Sequence, residues 1–273
     1  MSATSEVFTV ERSGHTATLW LDNPARRNAM GVAFWDDLPV IMRDLSEDPE
    51  VRVVVIAAKG THFTIGLDLK AFGSLAGGGS GGSEATRRLQ VLRNVKRLQG
   101  SITSVADCAK PVIAAVHGYC LGGGIDLITA CDVRLAAADA VFSVRETRIA
   151  IVADVGTLQR LPGIIGEGHV AELVYTGKDV SAARAKEIGL VNDVLPDAAA
   201  VVKAAQAMAA EIAANSPLAV QGSKAVLRAC RGRSTADGLD YVAVWNSAFI
   251  QSDDLMEAMA AFVEKRPPRF TGK

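Results

Sequence analysis

The spacing of apolar residues divides the first part of the chain into short strand patterns and longer helical patterns. Two β-rich segments at 7–12 and 16–21 open the chain, and a helical stretch follows over about 31–45. The segment at 52–58 is almost wholly apolar, as is PVIAAVHG at 111–118. Such runs are typical of parallel strands that are buried on both faces.

Helical and strand patterns continue to alternate beyond this point. Apolar residues recur at helical spacing over 84–107, which predicts an amphipathic helix. Further strand patterns occupy 133–138 and 190–196. This alternation predicts an α/β protein in which crossover connections join the strands of a sheet.

The pattern changes at Asp197. Strand patterns almost disappear there, and Ala-rich helical stretches follow at about 197–214, 217–230, 234–251 and 253–264. We therefore predict two parts, an α/β core over 1–196 and a helical region over 197–273.

Composition indicates a globular chain and argues against several classes of function. The 273 residues are 49% hydrophobic, and 29 basic residues balance 30 acidic ones without forming long blocks of one sign. This balance argues against nucleic acid as a partner, and no apolar run is long enough to predict a membrane span. The cysteines lack a C-x-x-C pair and the histidines lack H-E-x-x-H spacing, so we predict no metal site.

Two further segments bear on location and flexibility. The start, MSATSEVFTVERSG, has no basic region followed by an apolar stretch, from which we predict a cytosolic protein. The segment GGGSGGS at 77–83 has a composition that does not pack, and it predicts a flexible surface loop.

The most distinctive motif is HGYCLGGGIDLITACD at 117–132, in which three glycines separate a strand pattern from a helix. Glycines at the start of a helix let a ligand approach main-chain N–H groups that favour negative charge. The motif lacks both the G-x-G-x-x-G spacing and the Lys-Ser/Thr of a phosphate loop. On its own, the run is explained equally well by close packing of the helix on the strand.

A second turn makes an oxyanion hole the better interpretation. The segment HFTIGLDLKAF at 62–72 also places a glycine, Gly66, in a turn that follows a buried strand. Two such loops each contribute one amide, and an oxyanion hole needs two donors.

Three acidic residues follow, Asp126, Glu146 and Asp154. Taken singly, each has a structural explanation: Asp126 offsets a helix dipole, Glu146 pairs with flanking arginines, and Asp154 caps a helix. Taken together, they indicate a cleft, because the sequence around Glu146 and Asp154 is apolar and predicts burial. Several acids in one cleft raise the pKa of at least one of them, which supplies a proton donor and a proton acceptor.

These motifs resemble, in order and spacing, those of the crotonase (enoyl-CoA hydratase/isomerase) superfamily. The resemblance runs through LDNPARRNAM (21–30), HFTIGLDL (62–69), the segment 110–137 and GTLQRLP (156–162). It implies a crotonase-like spiral of β-β-α units, followed by C-terminal helices that assemble the chain into a homotrimer or homohexamer. It also implies an acyl-CoA thioester as substrate, with CoA as part of that substrate and no separate cofactor.

The resemblance also assigns residues to the site by position. It places the oxyanion hole at the main-chain amides of Ile65 and Gly123. The residues that it implies for substrate binding are those of the two turns: Ile65, Gly66, Leu67, Asp68, Leu69, Gly123 and Gly124.

Within the superfamily, the chain most resembles the Δ3,5-Δ2,4-dienoyl-CoA isomerases. The similarity rests on the three acids and on ADVGTLQRLP (153–162), SPLAVQGSK (216–224) and LDYVAVWN (239–246). Hydratases of the family resemble one another in having Glu where this chain has Asp126, and they usually have Gly at the position of Asp154.

The resemblance implies an isomerase of fatty-acid β-oxidation in which Glu146 and Asp154 move protons at carbons 2 and 6. The direction of transfer and the role of Asp126 stay open, as do two alternatives. One is an enoyl-CoA hydratase that works with Asp126 and Glu146, and the other is a non-catalytic acyl-CoA-binding protein.

Overall fold

The computed structural model, which describes residues 5–70 and 82–273, contains a central six-stranded sheet. Its strands are β1 (Phe8–Ser13), β2 (Thr16–Leu21), β3 (Val53–Ala58), β4 (Val112–Val116), β6 (Val133–Ala137) and β9 (Asp193–Leu195). They lie side by side in the order β1-β2-β3-β4-β6-β9. β1 and β2 are antiparallel, and all other neighbours are parallel, as crossover connections require.

Three shorter strands form a second sheet, and the chain enters it through a glycine turn. The strands are β5 (Tyr119–Leu121), β7 (Val141–Ser143) and β8 (Val180–Ser181). Gly118 has a φ of +55°, and a Cβ there would lie 2.2 Å from the carbonyl oxygen of Thr61. The strand pattern predicted at 111–118 therefore ends earlier than expected, because Gly118 turns the chain from β4 into β5. It is β5 that leads into the triple glycine.

Helices connect and cover the strands. They are α1 (Val32–Glu47), α2 (Glu84–Asp107), α3 (Gly123–Ala130), α4 (Thr157–Arg160), α5 (Glu167–Thr176), α6 (Ala182–Glu187), α7 (Ala198–Ala213), α8 (Pro217–Ala229), α9 (Thr235–Phe249) and α10 (Asp253–Glu264). Short 3-10 helices lie at Pro24–Arg26, Glu146–Ile149 and Leu161–Gly163. Several helices begin where a serine or aspartate side chain accepts a hydrogen bond from the first turn: Ser83, Ser181, Asp197, Ser216, Ser234 and Ser252.

The central sheet is buried on both faces. In β3, Val54 and Ile56 belong to the main apolar core, whereas Val53 and Val55 face a second apolar cluster on the opposite side. Helix α7 covers that second side with small residues at helical spacing: Val201, Ala205, Ala209 and Ala213. Helix α7 therefore packs as part of the α/β core, although the sequence analysis assigned it to the separate region at 197–273.

Of the helices after α7, α8 is joined to the core by a buried lysine, and all three carry exposed apolar residues. The ammonium group of Lys224 in α8 donates to the carbonyl oxygen of Lys110 at 2.8 Å and to Oδ2 of Asp132 at 2.7 Å. The exposed apolar side chains of these helices are Leu227, Leu239, Val244, Phe249, Ile250, Leu255, Met256, Met259, Phe262 and Val263.

Part of the predicted glycine-rich loop at 77–83 lies outside the described residues, since only Gly82 and Ser83 belong to them. Ser83 caps α2, where its side chain accepts from the N–H of Thr86. None of the helices that the structure describes combines the length and the apolar character needed to cross a bilayer.

Candidate active site

The two glycine turns found in the sequence lie directly against each other. Thr64 and Cys120 form a parallel bridge, in which the N–H of Thr64 donates to Tyr119 and the N–H of Leu121 donates back to Thr64. Gly66 has a φ of +81°, and a Cβ there would lie 2.6 Å from the carbonyl oxygen of Leu121. Only glycine satisfies both constraints, so Gly66 allows the two turns to touch.

The first turn presents the amide of Leu67, and not that of Ile65. The N–H of Ile65 donates to the carbonyl oxygen of Arg27 at 3.3 Å. The N–H of Met30 donates to the carbonyl oxygen of Gly66, and the N–H of Asp68 donates to the carbonyl oxygen of Met30. In this parallel pairing, the N–H of the intervening residue Leu67 points away from Met30. Within the described part of the chain, the Leu67 N–H has no acceptor. The predicted donor Ile65 is therefore replaced by Leu67, two positions along the chain.

The second turn presents the amide of Gly123. Gly123 is the first residue of α3, where N–H groups have no acceptor within the helix. No other acceptor for it occurs among residues 5–70 and 82–273. The nitrogen of Gly123 would lie 3.3 Å from a Cβ at Gly66, so it adjoins the turn that carries Leu67. Leu67 and Gly123 thus supply two adjacent unpaired amides, which is the arrangement of an oxyanion hole.

A cavity of about 430 Å³ opens beside this pair. It is lined by mostly apolar residues from both turns and from the segments around the three acids: Arg27, Trp35, Ile65, Leu67, Leu69, Leu98, Tyr119, Leu121, Gly122, Gly123, Asp126, Arg145, Glu146, Ile149, Ile151, Asp154 and Val155. A mostly apolar cavity with a few convergent polar groups is typical of a ligand site.

The predicted substrate-binding turn contributes alternate residues to this cavity. Ile65, Leu67 and Leu69 line it, but Gly66 and Asp68 face away, as expected of an extended segment. The carboxylate of Asp68 is buried and pairs with Arg26 at 2.6 Å. The prediction of a substrate contact is therefore wrong for the side chain of Asp68.

Gly124, the other predicted contact, also lies outside the cavity lining. A Cβ at Gly124 would lie 2.7 Å from Cγ2 of Thr64. This glycine therefore serves close packing of α3 on the first turn, which is the structural explanation that the sequence left open for the glycine run.

Asp126 lies in the first turn of α3, as predicted, and is 1% exposed. Its Oδ1 accepts a hydrogen bond of 2.6 Å from the N–H of Thr157, whereas its Oδ2 is buried without a partner in the described structure. Burial raises the pKa of Asp126 to about 6, although the hydrogen bond from Thr157 and the charge of Arg160 act in the opposite direction.

Glu146 begins the 3-10 helix at Glu146–Ile149 and is partly buried in the cavity wall. Its neighbour Arg145 pairs with Asp179 at 2.6 Å, so the alternative of an ion pair between Glu146 and Arg145 is wrong. Oε2 of Glu146 has no hydrogen-bond partner in the part of the chain described. Burial and the nearby charge of Asp126 raise the pKa of Glu146 to about 7.

Asp154 lies at the edge of the same cavity. The residue as a whole is exposed, so the predicted burial is wrong for it, but it contributes to the cavity lining. Desolvation there raises the pKa of Asp154 above its ordinary value. Helix α4 begins after Gly156 without a side-chain cap, so Asp154 is not a helix cap.

Three residues that the sequence analysis did not single out complete the site. Thr157 fixes Asp126 through its N–H, and Trp35 closes the cavity beneath Gly123, with its indole N–H bonded to Met30. Arg160 lies against Gly156, whose φ is +136°. Thr157 and Arg160 belong to the motif GTLQRLP (156–162), and this motif was the feature of the sequence that could have indicated them.

Relatives with curated names support a specific activity. A protein of Arabidopsis thaliana named peroxisomal Δ(3,5)-Δ(2,4)-dienoyl-CoA isomerase is 42% identical over 98% of this chain and 96% of its own length. Proteins of the same name from Dictyostelium discoideum and Homo sapiens, both mitochondrial, are 41% and 42% identical over 94% and 92% of this chain and 88% and 77% of their own lengths. These names confirm the predicted resemblance to the dienoyl-CoA isomerases.

The names also correct the predicted location. The relatives are called peroxisomal or mitochondrial, so the expectation of a cytosolic protein is wrong. That expectation rested on finding no recognisable leader, and a missing signal in one sequence does not determine a compartment.

Solved structures and a family model agree with these relatives. The crystal structure of an enoyl-CoA hydratase from Bacillus anthracis is 33% identical, covers 98% of this chain and 100% of its own, and has a TM-score of 0.88. A putative enoyl-CoA hydratase from Streptomyces coelicolor is 29% identical, covers 100% and 97%, and has a TM-score of 0.89. The predicted crotonase-like fold is thereby confirmed. Because the model of the enoyl-CoA hydratase/isomerase family matches residues 11–273, this chain belongs to that family.

Proposed function

We propose that this chain isomerises 3,5-dienoyl-CoA thioesters to 2,4-dienoyl-CoA thioesters. The observation that carries the proposal is one cavity that holds three carboxyl groups and two unpaired main-chain amides. The names of the relatives at 41–42% identity favour the same reaction.

The amides of Leu67 and Gly123 bind the thioester carbonyl oxygen. Loss of a proton from carbon 2 creates negative charge that is delocalised onto this oxygen. Two fixed N–H groups stabilise that charge without reorganising, and removing one such donor in other enzymes slows the reaction about 10²–10³-fold.

Glu146 is the base that takes the proton from carbon 2. A base works best when its pKa is close to the working pH, and the pKa of Glu146 is raised to about 7. Its unpartnered Oε2 leaves the carboxylate free to accept that proton.

Asp154 gives a proton to carbon 6 at the far end of the diene. The electron pair of the C2–H bond forms the new C2=C3 double bond, and the remaining double bonds shift by one position until carbon 6 accepts the proton. Asp154 lines the same cavity as Glu146, and desolvation there raises the pKa of Asp154 above its ordinary value. The reaction moves one proton and is redox-neutral, so the proposal needs no cofactor besides the CoA of the substrate.

Asp126 adjusts the pKa of Glu146 and does not transfer a proton in this scheme. It is held by the N–H of Thr157, and its negative charge raises the pKa of Glu146. Asp126 therefore helps to keep the pKa of Glu146 close to neutral pH.

The helices α8–α10 mediate assembly into a homotrimer or homohexamer in this proposal. Phe262 and Val263 of α10 are 84% and 79% exposed in the single chain, and several neighbours are similarly exposed. Exposed apolar patches of this kind mark interaction surfaces. Sedimentation of the purified chain tests this point, because a stable monomer contradicts it.

The test of the reaction is direct. Purified protein is incubated with 3,5-octadienoyl-CoA, and appearance of the conjugated 2,4 product is followed by ultraviolet absorbance. Rapid formation of that product supports the proposal, and no product beyond the rate without enzyme contradicts it.

A second candidate reaction is hydration of 2-enoyl-CoA. It is favoured by the unpartnered Oδ2 of Asp126 and Oε2 of Glu146 in one cavity, since two carboxyl oxygens can hold a water molecule. Formation of 3-hydroxyacyl-CoA from 2-enoyl-CoA, faster than isomerisation of the diene, would make this the main activity.

A further inference from the structure

Asp154 stands on a segment that has no regular secondary structure. Residues 151–156 lie between the 3-10 helix at Glu146–Ile149 and α4, and neither a helix nor a strand fixes them. A proton donor must nevertheless be held close to its productive position, because a displacement of about 1 Å costs up to about a hundredfold in rate. Side chains from elsewhere must therefore hold this segment.

Both ends of the segment are anchored to other parts of the site. The N–H of Ile151 donates to the carbonyl oxygen of Glu146 at 3.0 Å. At the other end, the N–H of Thr157 donates to Asp126, and Arg160 donates to the hydroxyl group of Thr103 in α2 at 3.0 Å.

The middle of the segment is held by Gln99. Its side-chain amide, also in α2, donates to the main-chain carbonyl oxygen of Asp154 at 2.7 Å. Among the described residues, this is the only hydrogen bond made to the main chain of Asp154. The preceding residue, Leu98, lines the cavity, so one turn of α2 faces the acyl chain and also holds the acid.

We propose that Gln99 is a positioning residue for Asp154, which holds the carboxyl group over the distal carbon of the diene through the bond to the main-chain carbonyl. Gln99 does not contact the reacting atoms in this role, and the inference rests on the proposed isomerase activity. Loss of the amide donor releases the middle of the segment while both of its ends stay anchored. The step at carbon 6 then slows, and the step at carbon 2 does not.

The test replaces Gln99 with side chains of similar size that do not donate. Gln99→Met removes the amide, and Gln99→Glu keeps the shape but presents only acceptors at neutral pH. The matched control is Gln90→Met, because Gln90 is an exposed glutamine of the same helix that bonds only to Asn94 in the described structure. The readouts are kcat and KM with 3,5-octadienoyl-CoA, exchange of the carbon-2 proton in D₂O, and the melting temperature.

We expect both Gln99 variants to lose about tenfold in kcat, with KM within about twofold of the parent. Exchange at carbon 2 and the melting temperature stay at parental values, and Gln90→Met matches the parent in every readout. Unchanged kcat in both Gln99 variants overturns the inference, as does a parallel fall of kcat and carbon-2 exchange. A parent protein that fails to isomerise the diene overturns the proposed function instead, so the two failures are distinct.

Discussion

The two sides of the cavity are constructed in different ways. The side that binds the thioester oxygen consists of main-chain amides held by β5, α3 and the buried turn at Gly66. The side that handles protons consists of side chains on a 3-10 helix and an irregular segment, at Glu146 and Asp154. Charge stabilisation is thus built into the fold, whereas proton transfer depends on a few side-chain contacts.

This difference has a functional consequence. Amides at the start of a helix are supplied by any sequence that forms the turn, so they suit every reaction that passes through a thioester enolate. The acidic residues on less regular segments can be replaced without disrupting the oxyanion hole, and their positions determine which proton is transferred. Members of one fold family can therefore differ in reaction without any change in the oxyanion hole.

The largest effect is expected from the acid at the far end. Asp154→Asn removes the proton for carbon 6 and lowers kcat about 10²–10⁴-fold, which is the usual contribution of general acid–base catalysis. Acyl-CoA binding, measured by calorimetry, stays within about threefold of the parent, because the oxyanion turn is untouched. Full activity of the Asn variant contradicts the assignment of Asp154.

The second largest effect is expected from a change in the turn that carries the Leu67 amide. Gly66→Ala forces a left-handed backbone at about 1–2 kcal/mol and places a Cβ 2.6 Å from the carbonyl oxygen of Leu121, which adds overpacking of about 1–3 kcal/mol. We expect loss of stability in urea unfolding together with a marked loss of kcat.

The matched control for that variant is Gly168→Ala. Gly168 is in α5, has no atom within 4 Å of a built Cβ, and has no positive φ. Alanine there should raise the free energy of unfolding by up to about 1 kcal/mol and leave kcat unchanged. Equal stability of the two variants would contradict the role given to Gly66.

A smaller effect concerns stability and pH. The folded state raises the pKa of Asp126 to about 6 from 3.8, so the folded protein holds a proton that the unfolded chain releases. The contribution of Asp126 to stability is therefore present below about pH 4 and is lost as pH rises through about 6, by about 3 kcal/mol. Urea unfolding of the parent and of Asp126→Asn between pH 4 and 7 measures this difference. A constant difference across that range contradicts the raised pKa.

The smallest effect tests whether the charge of Asp126 raises the pKa of Glu146. Glu146 must be deprotonated to act as a base, so the rate rises with pH through about 7. Removing the charge of Asp126 lowers the pKa of Glu146, and Asp126→Asn should shift this limb of the pH–rate profile to lower pH. Asp240→Asn, on the exposed face of α9, serves as the control and should leave the limb in place.

The sequence predicted the long elements closely because their apolar periodicity is strong. The helix predicted at 84–107 and the strand predicted at 16–21 have those bounds in the structure. The strands of the second sheet were missed, since segments of two or three residues, such as β5 and β8, are too short to show alternation.

The site was predicted less completely than the fold, for physical reasons. The sequence indicated both turns and all three acids, but not which amide of the first turn is free. That depends on the pairing of Met30 with Gly66 and Asp68, which links distant parts of the chain. Burial of Asp68 against Arg26 has the same origin.

In the proposed mechanism, separate acids handle the protons at opposite ends of the diene while Leu67 and Gly123 stabilise the charge between them. Its most direct test follows 3,5-octadienoyl-CoA in D₂O by nuclear magnetic resonance, with the parent, Glu146→Gln and Asp154→Asn. We predict that the parent forms product, that Asp154→Asn exchanges the carbon-2 proton without forming product, and that Glu146→Gln does neither. Product formation by Asp154→Asn at the parental rate, or carbon-2 exchange by Glu146→Gln, would contradict these roles of the two acids.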